Sequence, residues 1–192
     1  MALTTFVAGQ VLTAAQLNGS FAAVGGLRLV QYNTFSAVSS VSLPNDTFTS
    51  SFQNYKVLFV ITAASSNNQA SLRFRTAGTD NSGSSYHGSW IGEAAGSGIT
   101  ADTNGGTSMA LGWIPTTTPR VSLMLDVFAP QETAATTVSG QFVGMNSNWT
   151  VNATMNGGGY FAGTTVFDSL SLIPGAGTIT GNYRVYAYAQ TN

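Results

Sequence analysis

The sequence predicts an all-β protein, a β-sandwich of jelly-roll type preceded by a short N-terminal arm and helix. Three observations lead there. Apolar and polar residues alternate over short runs from Leu27 to the C-terminus. Clusters of Gly, Pro, Asn, Asp and Ser separate those runs. Helix-start chemistry is found at one place, before residue 26.

Met1 to Gly26 carries no charged side chain. Thr4 to Val11 reads as extended chain with a turn at Gly9. In Thr13-Ala14-Ala15-Gln16, Thr13 fits an N-cap and Gln16 stands at N3 to reach back, a capping box. Leu12 and Leu17 occupy the two positions of a hydrophobic staple. Gly25-Gly26 ends the segment, so a helix is expected from about Ala14 to Val24. So short a helix needs a surface to pack on. The chain therefore divides into an attachment segment, 1–26, and a β-domain, 27–192. The apolar residues Phe6, Val7, Val11, Leu12, Leu17 and Phe21 are the candidate docking residues.

Leu27 to Tyr32 alternates as a strand. Tyr55 to Ala63 is almost wholly apolar and β-branched, which predicts a strand buried on both faces. In Ala70 to Arg75, Ala70, Leu72 and Phe74 should face inward while Arg73 and Arg75 face out. Val121, Leu123, Leu125 and Val127 share one face of the next clear strand. Further strands are expected near 84–91, 107–113, 135–144, 148–155, 167–173 and 177–189. The turns between them are expected at Pro44-Asn45-Asp46, 65–69, 115–119, Gly157-Gly158-Gly159 and Pro174-Gly175. Gly78–Gly83 and Gly96–Gly106 should be the longest exposed loops.

Composition narrows the function. Charged residues make up only 7% of the 192, against about a quarter in an ordinary soluble domain. With 43% hydrophobic residues the chain should fold rather than remain disordered. Its formal net charge of −1 gives little colloidal repulsion, which favours association. The six Lys and Arg residues are scattered, which argues against a nucleic-acid partner. Cysteine is absent, so disulfides and thiolate metal sites are excluded. No secretion signal and no apolar run long enough to cross a bilayer is visible, so synthesis in the cytoplasm and no membrane partner are expected.

No catalytic, cofactor-binding or metal-binding residue is assigned. A nucleophilic triad needs a base, and the single histidine, His87, has no nucleophile elbow beside it. The seven carboxylates are dispersed and mostly adjoin turn residues. Asp80-Asn81-Ser82-Gly83 and Asp102-Thr103-Asn104-Gly105 offer oxygen ligands without completing a calcium loop, and read better as polar turns. The glycine clusters lack the Lys-Ser/Thr and the following helix of a phosphate cradle. Aromatics are the remaining candidates: Tyr86, Trp90, Trp113, Trp149 and Tyr160 lie in or beside glycine-rich stretches. Exposed, such rings stack on sugars or partner side chains; buried, they fill a sandwich core.

Two ends and one middle block carry a resemblance. The opening Phe6-Val7-Ala8-Gly9-Gln10-Val11-Leu12-Thr13-Ala14-Ala15-Gln16-Leu17-Asn18 resembles the start of many tail-fibre and appendage proteins of tailed bacteriophages. Phe167 to Pro174, Gly177 to Gly181 and Tyr183 to Tyr188 are similar to the closing hairpin of their β-domains. Phe52 to Val57 and Leu72 to Arg75 also fit these domains. The matches touch about half the chain, and no long repeat-built shaft accompanies them. The resemblance implies a homotrimer in the virion whose N-terminal segments bind other tail or head proteins while its loops face outward. The expected function is thus a short tail-fibre or tail-appendage subunit. A capsid decoration protein and a host-glycan-binding module are the alternatives, and an enzyme is not expected.

Overall fold

The structure, a computed structural model, describes Gly9, Thr13 and residues 26–94, 97–116, 120–145 and 152–189. The expected helix at 14–24 and all six candidate docking residues lie outside the described residues. Within them the protein is all-β, with thirteen strands and no helix. These are β1 (Leu27–Val38), β2 (Val41–Ser42), β3 (Asn54–Ala64), β4 (Asn68–Thr76), β5 (Thr79–Asp80), β6 (Tyr86–Ala94) and β7 (Ser97–Gly106). They continue with β8 (Met109–Ile114), β9 (Val121–Phe128), β10 (Thr136–Met145), β11 (Asn152–Phe161), β12 (Ser169–Pro174) and β13 (Ile179–Tyr188).

Every pairing is antiparallel. From one edge the order is β1-β13-β3-β9-β10, and at β10 the sheet forks. One branch continues through β11 and β6 to β7. The other passes through the single pair Met145↔Trp113 to β8, then to β4, β12 and β2. The branches face each other across the core: Phe74 of β4 and Tyr86 of β6 stack with ring centroids 6.2 Å apart. Phe167 and Phe161 complete that aromatic cluster, with centroids 5.0 Å apart.

Alternation explains which side chains fill the core. Tyr55, Val57, Phe59 and Ile61 of β3 are buried, as are Val121, Leu123, Leu125 and Val127 of β9 and Tyr183, Val185 and Ala187 of β13. Ala70, Leu72 and Phe74 face inward on β4 as their period predicts. The expectation that β3 is buried on both faces is corrected. Lys56, Leu58 and Val60 are only half-buried, because they lie on an outer face that no other described strand covers.

An expected loop and an expected turn are strand, and a second expected loop, 78–83, is strand only at Thr79–Asp80. The stretch 96–106 was expected as an exposed loop, but Ser97–Gly106 forms β7, paired along its length with β6. Gly157-Gly158-Gly159 was expected as a turn and instead lies inside β11, where it pairs with both β10 and β6. Glycine is required there by closeness rather than by turning. A Cβ on Gly157 would stand 2.6 Å from the Cα of Trp90, and one on Gly159 would meet the carbonyl oxygen of His87 at 2.1 Å. Within 78–83, Thr79–Asp80 returns along β4 as a tight hairpin. Its two turn residues, Ala77 and Gly78, both have positive φ, at 49° and 81°.

Candidate recognition surface

The structure separates the candidate aromatics by strand parity. Tyr86 and Trp90 share the inward face of β6 and are fully buried. The expectation that they serve surface recognition is therefore corrected: both fill the core. The hydroxyl of Tyr86 accepts the backbone N–H of Phe74 at 2.9 Å and donates to the carbonyl of Asn81 at 2.9 Å. Burial pushes that hydroxyl up to about 12. Trp90 sits opposite Gly157, which leaves room for its indole. Trp113 is half-buried at the fork between β8 and β10. Trp149 lies outside the described residues.

Tyr160 is the most exposed candidate among the described residues, with 43% of its surface exposed. It projects from the outer face of β11, because Met155 and Phe161 take the inner one. Its ring stacks on that of His87, centroids 4.9 Å apart and planes 15° from parallel. His87 in turn places Nδ1 3.1 Å from Asn104 Oδ1 and 3.4 Å from the backbone N of Gly105. One step along the strands, Ser89 donates to Asp102 at 2.7 Å. The single histidine thus supports an aromatic platform, and its neighbours are an amide and a phenol ring rather than a nucleophile.

The two polar turns considered for calcium are otherwise engaged. Asp80 pairs with Arg75 at 3.0 Å and accepts from Ser171 at 2.7 Å. Asp102 and Asn104 belong to β7 and alternate with Thr103, whose hydroxyl accepts the N–H of Ala110. Among the described residues no three of His, Asp and Glu gather as metal ligands. A shallow cleft of about 340 Å³ is lined by Ser50, Phe52, Gln53, Gln131 and Glu132, with Gln53 donating to Glu132 at 2.7 Å.

Farther along the same outer face, Lys56 and Asp126 form an ion pair of 2.7 Å, and Tyr188 donates to the same carboxylate oxygen. Burial works against the Lys56 charge, yet Asp126 and Tyr188 outweigh it and hold the ammonium above its ordinary range. Burial and the bond to Asp126 raise Tyr188 as well.

No protein-family model, curated protein or solved structure matches this chain.

At the far edge of this face stands β1, twelve residues long and paired with β13 alone among the described residues. It exposes Leu27, Leu29 and Tyr32 at 47%, 53% and 50%. Arg184 lies over the Tyr32 ring at 5.0 Å. An edge strand of this length, with exposed apolar residues, no proline and one charge, is a template for further pairing. Sequence reading missed Phe128, which follows the inward-facing Val127 and must point outward. Strand parity was the available signal.

Proposed function

We propose that this chain is a structural subunit of a tailed-phage virion, a short tail-fibre or tail-appendage protein whose β-domain is a jelly-roll-like sandwich. In this reading the branch β10-β11-β6-β7 continues one layer and β8-β4-β12-β2 forms the other. Residues 1–26 attach the subunit to other virion proteins, and copies associate through β1, as a trimer by the resemblance. The observation that supports this best is β1 itself. Its long edge, paired with β13 alone among the described residues, and its exposed Leu27, Leu29 and Tyr32 follow directly on the attachment segment. A lone chain carrying such an edge, with a net charge of only −1, has little to keep its copies apart.

Deleting residues 2–24 tests the attachment role. The truncated chain should retain a folded β-domain and fail to enter particles. Incorporation at the wild-type level would rule this role out. The reading as a capsid decoration protein shares the same fold and predicts copies over the head lattice instead.

A further inference from the structure

We infer that the outer face of the β9-β10-β11 region holds a binding slot for an uncharged, hydroxylated sugar ring. The inference deepens the virion reading by naming a ligand class for its host-facing surface, and the slot itself rests on register and side-chain placement. Thr137 of β10 pairs with Phe128 of β9 on one side and with Tyr160 of β11 on the other. Neighbouring strands lie about 4.8 Å apart, so the two aromatic residues stand about 10 Å apart across one small side chain. Phe128 is 38% exposed and Tyr160 43%. His87 occupies the β6-side face of the Tyr160 ring, which fixes that ring and turns its other face toward Thr137 and Phe128. The next row along the strands continues the floor with Ser139 and Gly158, both small.

The chemistry of this slot selects its ligand. The free face of the Tyr160 ring and the exposed Phe128 side chain offer apolar surface suited to the C–H face of a pyranose. The floor adds the hydroxyls of Thr137 and Ser139, which an apolar ligand would leave unpaired. The nearest cation in the adjoining row, Lys56, is held by Asp126, and Asp102 stands beyond Ser89 on the other side. An anionic sugar or phosphate would meet those carboxylates without a cation to receive it. A neutral hexose or N-acetylhexosamine satisfies both walls and floor.

The test uses the purified full chain on an array of neutral glucosides, galactosides and N-acetylhexosaminides, with sialylated and sulfated versions as comparators. Neutral probes should be retained and acidic ones not. Tyr160→Ala should weaken binding about tenfold or more, while Tyr160→Phe keeps it within about threefold because the ring face remains. Ser139→Arg should fill the slot and abolish binding with no change in the unfolding temperature. No retention of any neutral probe by wild type would overturn the proposal, as would binding that survives both Tyr160→Ala and Ser139→Arg. Chemical cross-linking that joins position 139 to a neighbouring copy, in a sample where sugar does not bind, would overturn it too. Particle incorporation of Ser139→Arg is scored separately, so loss of the sugar site and loss of the virion role give different results.

Discussion

The Tyr86 hydroxyl, carried by β6, completes the hydrogen bonding of Phe74 on β4, accepting its backbone N–H at 2.9 Å while the two rings stack. This bond ties together the two branches that leave β10, at a point with no water contact. Tyr86→Phe keeps the ring but strands both the Phe74 N–H and the Asn81 carbonyl. The expected loss is about 1–3 kcal/mol, measured by urea unfolding. A loss below a few tenths would mean the phenol is not the tie.

The same residue predicts a pH dependence. Its hydroxyl is raised from 10.0 to about 12 in the folded chain. Below pH 10 both states hold the proton and the contribution to stability is complete. Between pH 10 and about 12 the unfolded chain releases a proton that the folded chain keeps, so stability falls as pH rises, by about 2–3 kcal/mol in all. Tyr86→Phe should flatten that slope in denaturant titrations at pH 9 to 12.

Gly157 should not tolerate a side chain. A methyl group there would press on the backbone and indole of Trp90, at 2.6 and 3.0 Å. Gly157→Ala is expected to cost about 1–3 kcal/mol by thermal or urea unfolding. Gly163→Ala, whose nearest clash is with the Phe161 ring rather than with backbone, should cost less.

On the outer face, Asp126→Asn removes the charge that Lys56 and Tyr188 share. Because Lys56 and Tyr188 are both raised, their contribution is complete at neutral pH and fades as pH climbs past about 10. The pair is partly exposed, so a loss of about 1 kcal/mol is expected at pH 7, and the difference from wild type should shrink as pH rises above the ordinary lysine value of 10.5.

Leu29→Glu places a charge between Leu27 and Tyr32 near the start of β1 without touching the core, since Leu29 is 53% exposed. It should leave the unfolding temperature of the isolated domain within a few degrees of wild type and shift light-scattering mass toward the monomer. Unchanged oligomers would locate the association surface elsewhere.

Strands β4 and β9 were legible because their inward residues are large, apolar and strictly spaced. The glycine-rich strands β7 and β11 were not. Local composition at Ser97–Gly106 and Gly157-Gly158-Gly159 signals turns, and only pairing on both sides makes them strand. Parity was informative but unread at the candidate site. Tyr86 and Trp90, four apart on one strand, share a face with Gly88 and Gly92, while His87 and Ser89 take the other. The same count places Phe128 and Tyr160 outward beside Val127 and Phe161. That Phe128 and Tyr160 stand across Thr137 depends on long-range register, which no local pattern specifies.

Imaging purified particles with this subunit labelled tests the proposed virion role. Label should be confined to the tail or its appendages, attached at the end nearest residues 1–26. Label absent from particles would contradict it, and label spread over the head would replace the tail role with decoration.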